Sequence, residues 1–197
     1  MSSTAARGRP RDERARLAIL DAAAELMLES GVDKVSMDAI AERAGASKAT
    51  IYRWWPTKES LALDAVYRQW SAAEPEKAPT GALRADLIAL LGDWSRRAAS
   101  RPYARMLTAL LDAAQSDPEF ADRYHAHFVE PRRARGREIL AAAIEDGQLP
   151  ADTDIELALD LLYGPIYHRL LQGHAKIDDR FVRDIVDVVC AGLSVPR

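Results

Sequence analysis

The sequence predicts an all-α fold, and three observations carry that prediction. Strong helix formers (Ala, Leu, Arg and Glu) dominate its 197 residues. No window holds the apolar–polar alternation of a strand. Apolar residues instead recur at helical spacing between capping residues and glycines, in segments that give about nine helices. The expected architecture is an N-terminal three-helix head followed by a larger helical body.

Residues 1–10 read as a flexible basic arm. The first helix is expected over 11–30, with Leu17, Leu20, Ala24, Met27 and Leu28 along one face. Gly31 would close it in a left-handed conformation, with Val32 packing back. Ser36 suits the N-cap of a short helix over 37–44, with Asp38 in its first turn. Gly45-Ala46-Ser47 interrupts, and a second short helix follows over 48–55, stopped by Pro56. Thr57, assisted by Glu59, caps a fourth helix over 58–73. The Pro-containing stretch 74–80 marks a domain boundary. Beyond it, helices are expected at 81–100, 102–116, 118–146, 154–173 and 179–193. Asp117 precedes Pro118 at a first helical position, and Thr153 with Glu156 has capping-box spacing. Gly147 and Gly173 end two of these helices. Pro131 falls inside the third, where it should kink or break it.

Composition bounds the function. Apolar residues make up 48% and charged residues 29%, the balance of a globular protein. No apolar run reaches membrane-spanning length. The N-terminus lacks the apolar stretch of a secretory signal, and the single cysteine, Cys190, forms no internal disulfide. Both point to a cytoplasmic chain. Cys190 sits in an apolar run and reads as a buried, inert thiol. The net charge is −3, unevenly distributed: residues through Lys58 carry a small excess of Lys and Arg, and the remainder is acidic. A basic front on an acidic body is what a chain meeting phosphate at one end would show.

Residues 36–55 have the form of a helix-turn-helix. Val35, Ile40, Ala41, Ala44 and Ile51 are spaced to face each other and the first helix. Ser36, Ser47, Lys48, Thr50, Tyr52, Arg53, Trp54 and Lys58 are left outside. Hydroxyls, a phenol, an indole and cations are groups that phosphates and base edges accept. Tyr52, Trp54 and Trp55 crowd a helix too short to bury all three.

The stretch from Val35 to Leu61 resembles the helix-turn-helix of the TetR family of repressors. The likeness rests on Ser36, Ile40-Ala41, Ala44-Gly45, Tyr52, the aromatic at Trp55, Lys58 and Leu61. The resemblance implies that Ser36, Ser47, Tyr52 and Lys58 hold phosphates. It implies that Lys48, Ala49, Thr50 and Arg53 face base edges, with Trp54 beside them. Many relatives carry glycine where this chain has Lys48 or Ala49, so a lysine here adds a cation near the groove. The domain reading is then 11–73 for DNA binding with a connecting helix, and 81–197 for ligand binding and dimerisation.

In the body, the last two helices carry Ile155, Leu157, Leu161, Leu162, Ile166, Leu170 and Leu171, then Phe181, Val182, Ile185, Val186, Val189 and Leu193. Two such faces can pack together and still present surface to a twin. A palindromic operator requires a two-fold dimer. The run Asp160–Leu171 also resembles one group of TetR-family C-terminal domains, which implies a homodimer through residues 154–193. Between these helices and the head lie Trp94, Tyr103, Met106, Leu110, Phe120, Tyr124, Phe128, Tyr163 and Tyr167. The resemblance implies that such residues line a pocket for a small hydrophobic or aromatic effector that releases the repressor. Gly164-Pro165 opens space in a buried helix.

An enzyme or a ligand carrier without a DNA role is the alternative. No Gly-rich phosphate loop, nucleophile elbow or zinc-type motif occurs. His125 and His127 are spaced to point to different sides of a helix, so no metal is expected. No cofactor is expected either. Sequence-neutral DNA packaging would want a basic body, and this one is acidic. The residues do not separate repression from activation.

Overall fold

A computed structural model of the chain describes residues 9–73 and 78–193, with side chains from 13–69 and 78–193. Residues 1–8 of the expected arm and most of the expected linker therefore lie outside the described residues, while Arg9 and Pro10, expected in the arm, already belong to the first helix. The described residues are helical throughout their regular segments, without a strand: α1 (Arg9–Ser30), α2 (Met37–Ala44), α3 (Lys48–Trp54), α4 (Lys58–Ala73), α5 (Leu83–Ala98), α6 (Arg101–Ser116), α7 (Pro118–Tyr124), α8 (Glu130–Glu145), α9 (Ile155–Gln172) and α10 (Asp179–Leu193). A π turn, His125–Val129, joins α7 to α8, so the run from Pro118 to Glu145 is the single long helix expected there. Pro131 explains the turn. It has no amide hydrogen for the carbonyl of His127, so the ladder shifts register just ahead of it. None of these helices is long and apolar enough to cross a membrane.

The chain forms two compact units, which do not follow one boundary along the sequence. The first groups the described residues through α4 with Arg105–Tyr124. Within it α1 packs on α2, α3 and α4. Ile19, Leu20, Ala23, Ala24 and Met27 of α1 meet a core that includes Ile40, Ile51, Leu61 and Val66, all buried. Each fully buried aliphatic side chain contributes about 1.5–3 kcal/mol. Surface pairs Glu25–Arg43 and Asp21–Arg68 (3.1 and 3.0 Å) tie α1 to α2 and α4 and add little by comparison.

Gly31 departs from expectation. Its φ of 90° and ψ of 151° are extended with positive φ, not left-handed helical. This is a region that glycine enters without a Cβ clash. It turns the chain into a 3-10 turn, Val32–Lys34, and Val32 is buried beneath it. Thr57 caps α4 by accepting from the Ser60 amide (3.1 Å), Glu59 stands in the first turn as expected, and Ser60 Oγ accepts in return from the Thr57 amide at 3.3 Å.

The second unit comprises residues 76–104 and those from 125 onward. In it α5 packs on α8, α9 and α10, and α9 also meets α8 and α10. Buried Asp86 accepts hydrogen bonds from the Thr80 and Gly81 amides and the Thr80 hydroxyl, so the chain turns before α5 begins at Leu83. The N-cap of α9 is Asp154, which accepts from the Leu157 amide (3.0 Å). Thr153, expected in that role, instead donates to the Pro150 carbonyl. The cap thus falls one residue later than the Thr153–Glu156 spacing suggested, with the aspartate side chain meeting the amide three residues on. Cys190, expected buried, is half-exposed. Its partial burial and the Asp187 carboxylate still push the thiol pKa up, which disfavours the reactive thiolate.

Candidate nucleic-acid interface

The helix-turn-helix is built from two serine caps and one left-handed glycine. Ser36 accepts from the Ala39 amide at 3.1 Å and starts α2. Gly45 ends it at φ 61°, ψ 33°. No side chain blocks a Cβ there, so the conformation alone demands glycine. The Ala46 amide then returns to the Ala41 carbonyl (2.9 Å), and the chain reverses within the turn. Ser47 accepts from the Thr50 amide (3.1 Å) and starts α3, which ends at extended Trp55 just before Pro56.

Burial divides α3 cleanly. Ile51 and the following Trp55 are at most 1% exposed, whereas Tyr52 is 49% and Trp54 39% exposed. Ser36, Ser47, Lys48, Ala49 and Arg53 are also exposed, and Thr50 and Lys58 are half-buried. A helix of seven residues is about 10 Å long, within the width of a major groove of about 12 Å. Its outer face thus offers a phenol, an indole, a guanidinium and an ammonium on a rigid, buried footing.

Several of these groups already have partners. Lys48 lies at the N-terminus of α3, where the helix dipole disfavours a cation. Its ion pair with Asp38 of α2 (2.7 Å) offsets that, and the Asp38 carboxylate raises the ammonium pKa. Ser47 and Thr50 share a hydroxyl hydrogen bond of 2.9 Å. Lys58 is held by the Asp33 carbonyl at 3.2 Å. Arg53 lies over the Trp54 ring (5.7 Å to its centroid), and Arg16 of α1 lies over both Trp54 (5.9 Å) and Trp55 (6.0 Å). These cations hold the exposed indole in place through attraction to its π face.

Two residues behind the face were not legible in the sequence. Trp55 Nε1 donates to Asp64 of α4 (2.8 Å), and Arg123 of α7 donates to the same carboxylate (3.1 Å). A buried indole nitrogen requires an acceptor, so a partner was foreseeable although its address was not.

A second cluster lies within the other unit. Trp94 stands against Tyr163 (5.6 Å between ring centres) and Tyr167 (5.0 Å). The guanidinium of Arg132, a residue only 6% exposed, lies over Trp94 (5.0 Å) and Phe128 (5.2 Å). The Tyr163 hydroxyl donates to the Arg132 carbonyl. Tyr103 belongs to this unit too, and burial pushes its phenol pKa up. Met106, Leu110, Phe120 and Tyr124, expected with this set, are buried members of the first unit. Arg132 was missed, yet its spacing signals it. It follows Phe128 by one helical turn and so shares the buried face.

On α9, Leu157, Leu161 and Leu171 are 43–52% exposed, and Val188 of α10 is 72% exposed. Leu162, Ile166, Val182, Ile185, Val186 and Val189 are buried. Among the described residues, no group of three or more His, Cys, Asp or Glu could hold a metal.

Comparison with known proteins places these features in context. A family model described as bacterial regulatory proteins, tetR family, matches residues 19–65. One described as tetracyclin repressor-like, C-terminal domain, matches residues 77–189. The chain is 40% identical over 181 residues to the HTH-type transcriptional regulator YdeS of Bacillus subtilis, across 91% of this chain and 90% of that one. It is 33% identical over 186 residues to the DNA-binding transcriptional repressor TetR of Mycobacteroides abscessus, across 94% and 97%. The crystal structure of the TetR family transcription regulator SCO0332 superposes with a TM-score of 0.73 at 36% identity, covering 92% of this chain and 99% of that one. At 20% identity and a TM-score of 0.65, the regulator FadR of Bacillus subtilis, solved with stearoyl-CoA, shares the fold across 89% of this chain and 98% of that one.

Proposed function

The chain belongs to the TetR family of bacterial regulatory proteins, and on that premise we propose that it is a repressor released from a palindromic operator by a small apolar or aromatic effector. It is an HTH-type transcriptional regulator and not an enzyme. The observation that carries the operator reading is the split on α3: Tyr52, Arg53 and Trp54 outward, Ile51 and Trp55 wholly buried. Lys48, Ala49, Thr50 and Arg53 read base edges, with Trp54 beside them. Ser36, Ser47, Tyr52 and Lys58 meet phosphates, and Lys48 and Lys58 exchange their present partners for DNA. DNA binding is assigned to residues 11–73, and ligand binding and dimerisation to 81–197. Work on operator DNA sets the protein in the cytoplasm.

The exposed leucines of α9 and Val188 of α10 support a homodimer through residues 154–193. An apolar stripe left in water beside a completed core is what a twin would cover. The relative from Mycobacteroides abscessus, named a repressor, supports repression. The FadR complex with stearoyl-CoA and the aromatic cluster around Trp94 support an effector.

The test uses the DNA upstream of the protein's own gene against random duplex. The wild type keeps a large preference for its own DNA as salt rises. Arg53→Ala relaxes that preference by about 1–3 kcal/mol, while Lys58→Ala weakens all duplexes alike and lowers the salt slope by about one. A wild type that loses both duplexes together on adding salt would contradict the reading.

A further inference from the structure

We propose that the effector is an organic anion, whose acidic group is received by Arg132, Tyr103 and Trp94 and whose apolar part lies among the neighbouring rings. This rests on the reading that the body of the chain binds an effector, and adds the chemical class.

Two buried hydrogen-bond donors carry the argument. Trp94 is 2% exposed and Tyr103 7%, and neither Trp94 Nε1 nor the Tyr103 hydroxyl makes a hydrogen bond of good geometry among the described residues: the indole N–H and the phenol oxygen lean only on each other. Buried polar groups in native proteins are nearly always satisfied, so a pair of donors whose one poor contact is with each other, and whose phenol hydrogen has no acceptor, asks for one. An indole nitrogen only donates, and a guanidinium only donates. Their common complement is a group rich in lone pairs.

Charge settles which acceptor suits. The Arg132 guanidinium sits over the Trp94 ring at 5.0 Å and brings a full positive charge into the buried cluster. The titratable groups that bear on the Tyr103 phenol are the cations Arg132 and Arg97 and the phenol of Tyr167, which is neutral at ordinary pH. In a low-dielectric interior, hydrogen bonds from such donors to an anion are shorter and stronger than those to a neutral acceptor. A carboxylate or sulfonate therefore fits better than an amide, an alcohol or a water molecule. The rings of Trp94, Phe128, Tyr163 and Tyr167 supply the flat apolar surroundings.

A matched pair of dyes tests this on the full chain. The dye 8-anilino-1-naphthalenesulfonate and neutral N-phenyl-1-naphthylamine share one ring system and differ by the sulfonate. We expect the sulfonate to bind at one site per chain, at least about ten-fold tighter than the neutral dye. Arg132→Met should remove that preference, by about ten-fold, and leave the neutral dye within about two-fold. Arg132→Lys should restore part of it. Tyr103→Phe and Trp94→Phe, which keep a ring in the core, should each weaken the sulfonate dye by about three-fold and spare the neutral one. Equal binding of both dyes, with Arg132→Met neutral or weakening them alike, would overturn the anionic class and leave the effector reading standing. A sulfonate preference that survives Arg132→Met would place the anion elsewhere and overturn the proposal too. Failure of both dyes to bind would overturn the effector reading with it.

Discussion

Gly136 shows how little space single residues have in the second unit. A Cβ there would press into Leu159 of α9, which is fully buried, and stand 3.4 Å from Leu90 Cδ2. Overpacking of this kind costs about 1–3 kcal/mol. Better helix propensity returns about 1 kcal/mol of it. Gly136→Ala should therefore lower the urea midpoint, and an unchanged or raised midpoint would show that Leu159 can yield. At this scale the sequence was most legible where chemistry is local. Ser36 as a cap, Gly45 as a turn, and Tyr52 and Arg53 as outward residues follow from spacing alone. It was least legible where partners come from far along the chain. Asp64 meets Trp55 from the next helix and Arg123 from α7, and Arg132 stands over Trp94. Thr153 and Asp154 are adjacent residues that can each cap a helix, and spacing favoured the wrong one.

Among the elements, α8 and α9 are joined by an ion network with a testable pH dependence. Arg133 donates to Asp160 (2.6 Å) and to Glu156, and Arg137 bridges Glu156 and Glu130. Hydrogen bonds from Arg137 and Arg133 lower the Glu156 pKa from 4.5 to about 2. A folded-state pKa below the unfolded value means that the stabilisation is present above about 4.5. It is lost as pH falls through 2. The gap in thermal midpoint between the wild type and Glu156→Gln should therefore be widest near neutral pH and close between pH 4.5 and 2. A gap constant across that interval would show that the bridges do not act on stability. Element boundaries were largely readable, because glycine, proline and capping side chains fix them through backbone geometry. Pro131 was legible as an interruption. Its outcome, a π turn that keeps the run continuous, was not: a missing amide can break, kink or widen a helix, and spacing does not choose among them.

For the whole molecule, the asymmetry of charge and the leftover apolar faces were visible in the sequence, but their division was not. In α9 the adjacent Leu161 and Leu162 look alike as letters. One is 48% exposed and the other fully buried, because α9 is already packed on α8, α5 and α10. What remains outside is the face assigned to the twin. In the proposed dimer, an effector would shift operator affinity ten-fold by favouring one state by about 1.4 kcal/mol. The central claim is that two α3 helices of one dimer enter successive major grooves. Hydroxyl-radical footprinting on the upstream DNA, with methylation interference at guanine N7, tests it most directly. We expect two protected half-sites related by two-fold symmetry, about 34–36 Å or a multiple apart, with major-groove interference that Arg53→Ala removes. A single unsymmetrical footprint, or protection indifferent to major-groove methylation, would contradict it.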